Sequence, residues 1–469
     1  VDKDGTCAGL VPCYTSINAA LDAAPGGPNT IKVFPGTYNE SVELDKATGN
    51  ISLIAVNNSG QPSPGVTING GTEDAIATPK AGDHVGDITI DGFVVKSSGN
   101  DGIDLEVDGD VTIRNVTASG NGEDGVELDM NGDITITDCT ASNNGSDGFD
   151  LETEGKIYLE NCTANGNKSD DGFDIDGEDG PYVDNDVTLI NCTANDNGTS
   201  SDDGDGFDIE LTGKLTVRDC TANNNSGSGF EFNYEKDTGV ESATITGCTA
   251  NGNGGSDEDD VAHDGIHVRA EGMVTIHRCT ANDNDHDGID VENNINTEIK
   301  DCIAKDNGYS GIETDSGGFT LVQFCRMTGN AKDYDDPGDA GLEVDHPEGG
   351  QDPPEVNTGV TVSCCDFDGN RKGLGVDSAF VGEVMAEGNW WGDASGPSGI
   401  GPGSGDSIVI EIGGTGTVTY DPWLNQSAEE TPGCWQRPIP TLSHYGAMAL
   451  VLLMAATMFY MTRRRRNAG

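Results

Sequence analysis

The sequence predicts an all-β chain wound as one parallel β-helix, on three observations. First, Val116, Cys139, Cys162, Cys192, Cys220, Cys248, Cys279, Cys302, Cys325 and Cys365 form a series with asparagine five residues behind each, from Asn121 to Asn370. The shortest interval is 23 residues; others stretch to 30, 28, 28, 31 and 40 without disturbing the motif, so the surplus belongs to loops outside a repeating frame. Second, apolar and polar residues alternate in Gly148–Glu152 and in Ile134–Thr137, the pattern of half-buried strands. Third, aromatics are only 6% of the chain while glycine supplies 68 of 469 residues, which suits a narrow stacked core. A repeat that fills most of the chain predicts one elongated domain.

Within a coil, the elements follow in order. Gly148-Phe149-Asp150-Leu151-Glu152 is the first strand, its acidic residues facing out. The second is Ile134–Thr137, and its parity breaks at Asp138: Cys139 and Ala141 return inward one residue late, which requires a corner between Ile136 and Cys139. Three short strands with Gly/Asn corners every 23 residues cannot reverse direction into hairpins. With coils about 4.8 Å apart, roughly a dozen would make a rod of about 50–60 Å.

The opening, Cys13 to Leu21 followed by Ile31 to Glu40, and the closing Gly388–Asp393, Gly396-Pro397 and Asp421–Leu424 resemble the right-handed parallel β-helix repeat proteins of the pectate-lyase-like superfamily. That resemblance implies an N-terminal cap over 1–30 with a helix near Ser16–Ala24, a right-handed β-helix over 31–387, continuous from about Ile31 to Val384, and a closing segment over 388–425. The fold alone does not select a chemistry, since lyases, hydrolases, epimerases, adhesins and inert rods share it.

After a linker at 426–437, residues 438–469 resemble an IPTL-CTERM sorting signal of Gram-negative bacteria. Pro438–Ser443, an apolar run from Tyr445 to Met461 and the arginines 463–466 occur in the required order. The resemblance implies export to the cell surface, outer membrane or matrix, transient membrane anchoring, and an exosortase-type processing enzyme as partner. A run of 17 residues is short for a spanning helix, and the arginines would keep its end cytoplasmic. A plain tail anchor is the alternative. No signal peptide is visible before Val1, and the start reads as processed or truncated.

Cys7 and Cys13 are expected to pair in an oxidising compartment. The cysteines of the series lie at inward parity, where a thiol packs as a small hydrophobe. Thirteen cysteines leave at least one unpaired, with Cys364 or Cys434 as candidates.

Lys+Arg 24 against Asp+Glu 82 gives a net charge of −58, which disfavours nucleic acid and anionic membranes as partners. The acids are ordered. Two residues after each repeat glycine stand Asp104, Glu127, Asp150, Asp174, Asp208, Glu231, His267, Asp290, Glu313 and Glu343; four after it stand Glu106, Asp129, Glu152, Asp176, Glu210, Asn233, Arg269, Glu292, Asp315 and Asp345. Neighbours about 4.8 Å apart repel by about 1 kcal/mol per pair even in water. Hard cations would relieve this, and Ca2+ suits irregular oxygen sites better than magnesium; a solvated acidic face is the alternative. Residues 161–174 also resemble the calcium coil of family 9 pectate lyases, which implies Asp170, Asp171 and Asp174 as ligands. Asp202, Asp203, Asp205 and Asp208 repeat the pattern less closely. The lysine base of those lyases has no counterpart, because Gly229-Phe230 is followed by Glu231.

The columns are interrupted once, by His267 and Arg269. Loops at 177–186, 198–204, 233–243 and 254–263 would raise both flanks of these coils into a trough, where Tyr182 and Tyr234 offer flat faces to sugar rings and Asp290 and Glu292 border the interruption. One function is calcium-assisted proton abstraction from a uronate by Arg269 or His267, in a lyase or epimerase. The other is an exported surface protein that binds calcium and an acidic or neutral polysaccharide, with Arg269 and His267 only relieving the acidic wall. A structural rod is the third. A copper-delivery role lacks a Met/His cluster in the sequence.

Overall fold

The computed structural model describes residues 1–9, 11–24, 26–44, 49–78, 86–97, 99–177, 185–199, 204–232, 240–254, 263–293, 295–331, 339–345 and 359–434. Every ladder between its strands is parallel, in two sheets of fifteen strands and a third face divided into sheets of four and eight. One coil runs through Phe149–Thr153, Ile157–Glu160 and Thr163–Asn165. Its partners in the next coil are Phe173–Gly177, Val187–Ile190 and Thr193–Asn195. The residue step is 24 at Phe149↔Phe173 but 30 at Ile157↔Val187, so the six extra residues fall between those strands and leave both ladders in register.

The corner required between Ile136 and Cys139 is made by Asp138, at φ 55; Asn161, Asn191 and Asp219 take the same left-handed conformation in following coils. Asn and Asp tolerate that region better than other residues with a side chain. They also stack: Asn161 Nδ2 donates to Asp138 Oδ1 at 3.0 Å, and Asn191 Nδ2 to Asn161 Oδ1 at 2.7 Å.

Inside, nine cysteines from Cys139 to Cys365 are free and buried. Phe149, Phe173, Phe207 and Phe230 stack face to face, with ring centroids 4.9, 4.7 and 4.8 Å apart. The recurring asparagine forms a buried ladder: the backbone N–H and Nδ2 of Asn144 both donate to Asn167 Oδ1 (3.1 and 3.2 Å), and Asn167 does the same to Asn197. The repeat glycine has a steric cause. A Cβ on Gly148 would sit 2.5 Å from the Gly172 carbonyl oxygen and 2.6 Å from the Ala164 methyl.

The helix at the start spans Ile17–Asp22, shorter than expected from sequence; Ser16 is its N-cap and accepts from the Ala19 N–H. Cys7 and Cys13 are disulfide-bonded, with Cα atoms 5.7 Å apart. One expectation is corrected here: neither Cys364 nor Cys434 is a free thiol, because the chain returns to bring them into a second disulfide. Sheet pairing also runs beyond Val384, through Gly405–Ile410 and Thr417–Thr419, where Ile408 continues the buried row. Trp391 closes the core by stacking on Phe367 at 4.6 Å. The tail at 438–469 lies outside the described residues, among which no helix is long and apolar enough to cross a membrane.

Candidate functional site

The first strands of successive coils pair residue to residue, so the two acidic columns are real rows. Asp104, Glu127, Asp150, Asp174, Asp208 and Glu231 are consecutive partners, as are Glu106, Asp129, Glu152, Asp176 and Glu210. A third row escaped sequence reasoning. Asp101, Asp124, Asp147, Asp171 and Asp205 each precede a repeat glycine, and all but Asp124 are buried. Each spends one oxygen on the next coil: Asp124 N–H donates to Asp101 Oδ1 (2.7 Å), Asp147 N–H to Asp124 Oδ1 (2.6 Å) and Asp171 N–H to Asp147 Oδ1 (2.6 Å). The only signal in the sequence is the recurring Asp-Gly, which reads equally well as a turn.

Two neighbours of this row and one outward acid make a triad. In Asp74/Asp101/Asp104, Asp101/Asp124/Glu127 and Asp124/Asp147/Asp150, the carboxylate oxygens lie within 4.8 Å of one another. Burial first, and like charge second, disfavour ionisation. Asp147 is pushed up to about 9, by desolvation and the charges of Asp170, Asp124 and Asp174, and Asp150 to about 7. Desolvation also dominates at Asp101 (about 7), Asp174 (about 7) and Asp171, which is raised well above its ordinary value. Oxygen-only triads, partly held by backbone N–H groups, match the ligand preference of calcium.

Among the sequence-predicted ligands, Asp171 and Asp205 belong to the buried row, Asp174 and Asp208 to the outward column, and Asp170 is exposed. The Asp171 carboxyl is raised first by burial and then by the charges of Asp208, Asp147 and Asp174. Asp202, Asp203, Tyr182 and Tyr234 lie outside the described residues, as does most of each loop that would flank the trough.

At the interruption, Arg269 lies half exposed with Nε 3.6 Å from Glu292 Oε2. His267 departs from the outward exposure expected of its column: it is 2% exposed. Its Nδ1 lies 3.4 Å from Asp264 Oδ2 and 3.0 Å from Asp290 Oδ2. A second imidazole, missed in the sequence, meets the same group, with His286 Nδ1 3.1 Å from Asp264 Oδ1 and 3.3 Å from Asp287 Oδ2. The Tyr309 ring lies against His286 at 3.8 Å. Burial disfavours both imidazolium ions, but bonding to the aspartates outweighs it; His286 is pushed up to about 11 and His267 well above its usual value. Asp264 is drawn down by the two imidazoles despite its burial.

Residues 80–241, 201–349 and 238–411 match the family described as right handed beta helix region, and residues 437–466 match the IPTL-CTERM motif. The comparison with curated proteins gives no match. Among solved structures, the chain is similar to the A-module of the Azotobacter vinelandii mannuronan C-5 epimerase AlgE6, at 15% identity and a TM-score of 0.38, covering 86% of this chain and 93% of that one. Pectate lyase Pel9A is similar at 21% identity and a TM-score of 0.36, over 59% of this chain and 74% of its own.

Proposed function

From the premise that this chain belongs to the right-handed beta helix family, we propose that it is an exported surface protein whose acidic face binds calcium and, through calcium, an acidic polysaccharide. The observation that carries the reading is the carboxylate triad recurring coil after coil. Without cations such a wall repels a polyanion; a cation held by two or three protein oxygens keeps positions open for carboxylates of a bound chain. Export is supported by the disulfides Cys7–Cys13 and Cys364–Cys434, which belong to an oxidising compartment. The IPTL-CTERM match, with the apolar run and arginines inside it, supports processing by an exosortase-type enzyme.

The test is retention of the protein on a panel of immobilised uronic-acid and neutral polymers, with calcium or with chelator. Retention on uronate polymers that is lost in chelator is expected. Equal retention in chelator, or none on any polymer, overturns the proposal. The second reading, a uronate lyase or epimerase, rests on Arg269 half exposed at the interruption of the columns. Unsaturated products or C-5 inversion in the same incubations, abolished by Arg269→Ala, would establish it.

A further inference from the structure

We propose that Asp264, His267, His286, Asp287 and Asp290 form two adjoining binding sites for zinc-class divalent cations, each of three donors and sharing Asp264, separate from the oxygen-only triads. The inference does not depend on polysaccharide binding. Four of the seven histidines of the chain are described, and two of them converge here although 19 positions separate them in sequence. Two donor sets, Asp264/His267/Asp290 and Asp264/His286/Asp287, each gather their ligand atoms within 4.8 Å. Asp264 belongs to both, turning Oδ2 to His267 and Oδ1 to His286.

Three features select a transition metal. Imidazole nitrogen is a preferred donor for zinc and its neighbours, whereas calcium takes six to eight oxygens. The separations of 3.0–3.4 Å between the donor atoms are close to the edge of a tetrahedron with metal–ligand bonds of about 2.0–2.2 Å. Independently, Asp287 is 3% exposed and its Oδ1 has no hydrogen-bond partner, and the buried Oδ1 of the half-buried Asp290 likewise has none. A buried carboxylate oxygen without a donor is costly, and a bound cation removes that cost. The Asp287 N–H already donates to Asp264 Oδ1 at 2.8 Å and the Tyr309 ring lies against His286, so the donors are held before any ion arrives. The competing arrangement is a cluster of two imidazolium ions against three carboxylates, with no metal.

The experiment uses the full chain, stripped with chelator and returned to excess calcium, then titrated with Zn2+ against a chromophoric competitor. Zinc should bind despite the calcium, and Co2+ in its place should give visible ligand-field bands. His286→Gln should weaken zinc binding by about tenfold or more at one of the two sites, and Asp290→Asn at the other. His277→Ala, at a histidine paired with Glu298 on a different sheet, should leave it unchanged. Thermal melts of each variant separate loss of a ligand from loss of fold. The proposal is overturned if calcium displaces the zinc, or if folded His286→Gln and Asp290→Asn both bind it as wild type does. Calcium stabilisation measured in the same variants distinguishes this failure from failure of the calcium reading.

Discussion

Asp147 shows what a single residue contributes to the acidic face. Its Oδ1 accepts the Asp171 N–H, which any side-chain acceptor would satisfy, but its charge is buried beside those of Asp170, Asp124 and Asp174. Asp147→Asn keeps the acceptor and removes the charge. In calcium-free protein it should raise stability by roughly 1–3 kcal/mol at pH 8, since a tenfold change in a proton-binding constant corresponds to about 1.4 kcal/mol, and it should reduce the stabilisation by calcium. Denaturant melts with and without chelator decide this. The sign with pH follows from the raised carboxylates of Asp101, Asp147, Asp150 and Asp174. Between about pH 4 and pH 9 the folded state holds more protons than the unfolded state, so stability of the calcium-free protein should fall as pH rises through that window. Saturating calcium should flatten the slope, by holding the carboxylates ionised. A calcium-free protein whose melting temperature rises from pH 5 to pH 8 would contradict the assignment.

At the scale of the element, the coil is held by rows that no coil can make alone. Asn167 accepts from the Asn144 backbone and side chain, and passes the same pair of bonds to Asn197. Asn167→Ala therefore strands buried donors on Asn144, and should cost about 2–3 kcal/mol in an unfolding titration, more than an ordinary exposed substitution. Lys168→Ala, exposed in the same coil, is the comparison. Equal effects at the two positions would mean that the ladder adds no stability of its own.

Across the whole molecule, one face carries charge while the ends carry the closures. The N-terminal end is covered by Ile17–Asp22, and the far end by Trp391, the paired strands through Thr419 and the Cys364–Cys434 disulfide. Arg326 adds an ion pair to Glu429, at 2.5 Å. The disulfide closes a loop across 70 positions. Cys364→Ser with Cys434→Ser should lower stability by about 2–4 kcal/mol, with limited proteolysis beginning after residue 420. A doubly substituted protein that melts and digests like wild type would show that the disulfide adds nothing to the closure made by Trp391 and the paired strands.

The sequence by itself determined the coil, the inward cysteine column, the corner at Asp138 and the two outward acidic columns. Each is a local pattern, period two within a strand and 23 residues between coils, and stacking repeats it without change. Tertiary structure decided what depends on neighbouring coils. The row from Asp101 to Asp205 turns inward because each aspartate meets the N–H of the following coil, and the residue before a turn glycine has no parity to read. His267 shares the sequence parity of a column that is half-buried from Glu127 to Glu231, yet is 2% exposed, because Asp264 and Asp290 enclose it. His286 follows a corner and reaches the same aspartate from the next coil. Cys364 and Cys434 meet only because the chain doubles back over the finished rod. Strand periodicity fixes which way a side chain leaves the backbone; which groups then lie within about 4 Å of it depends on coils 20 to 40 residues away.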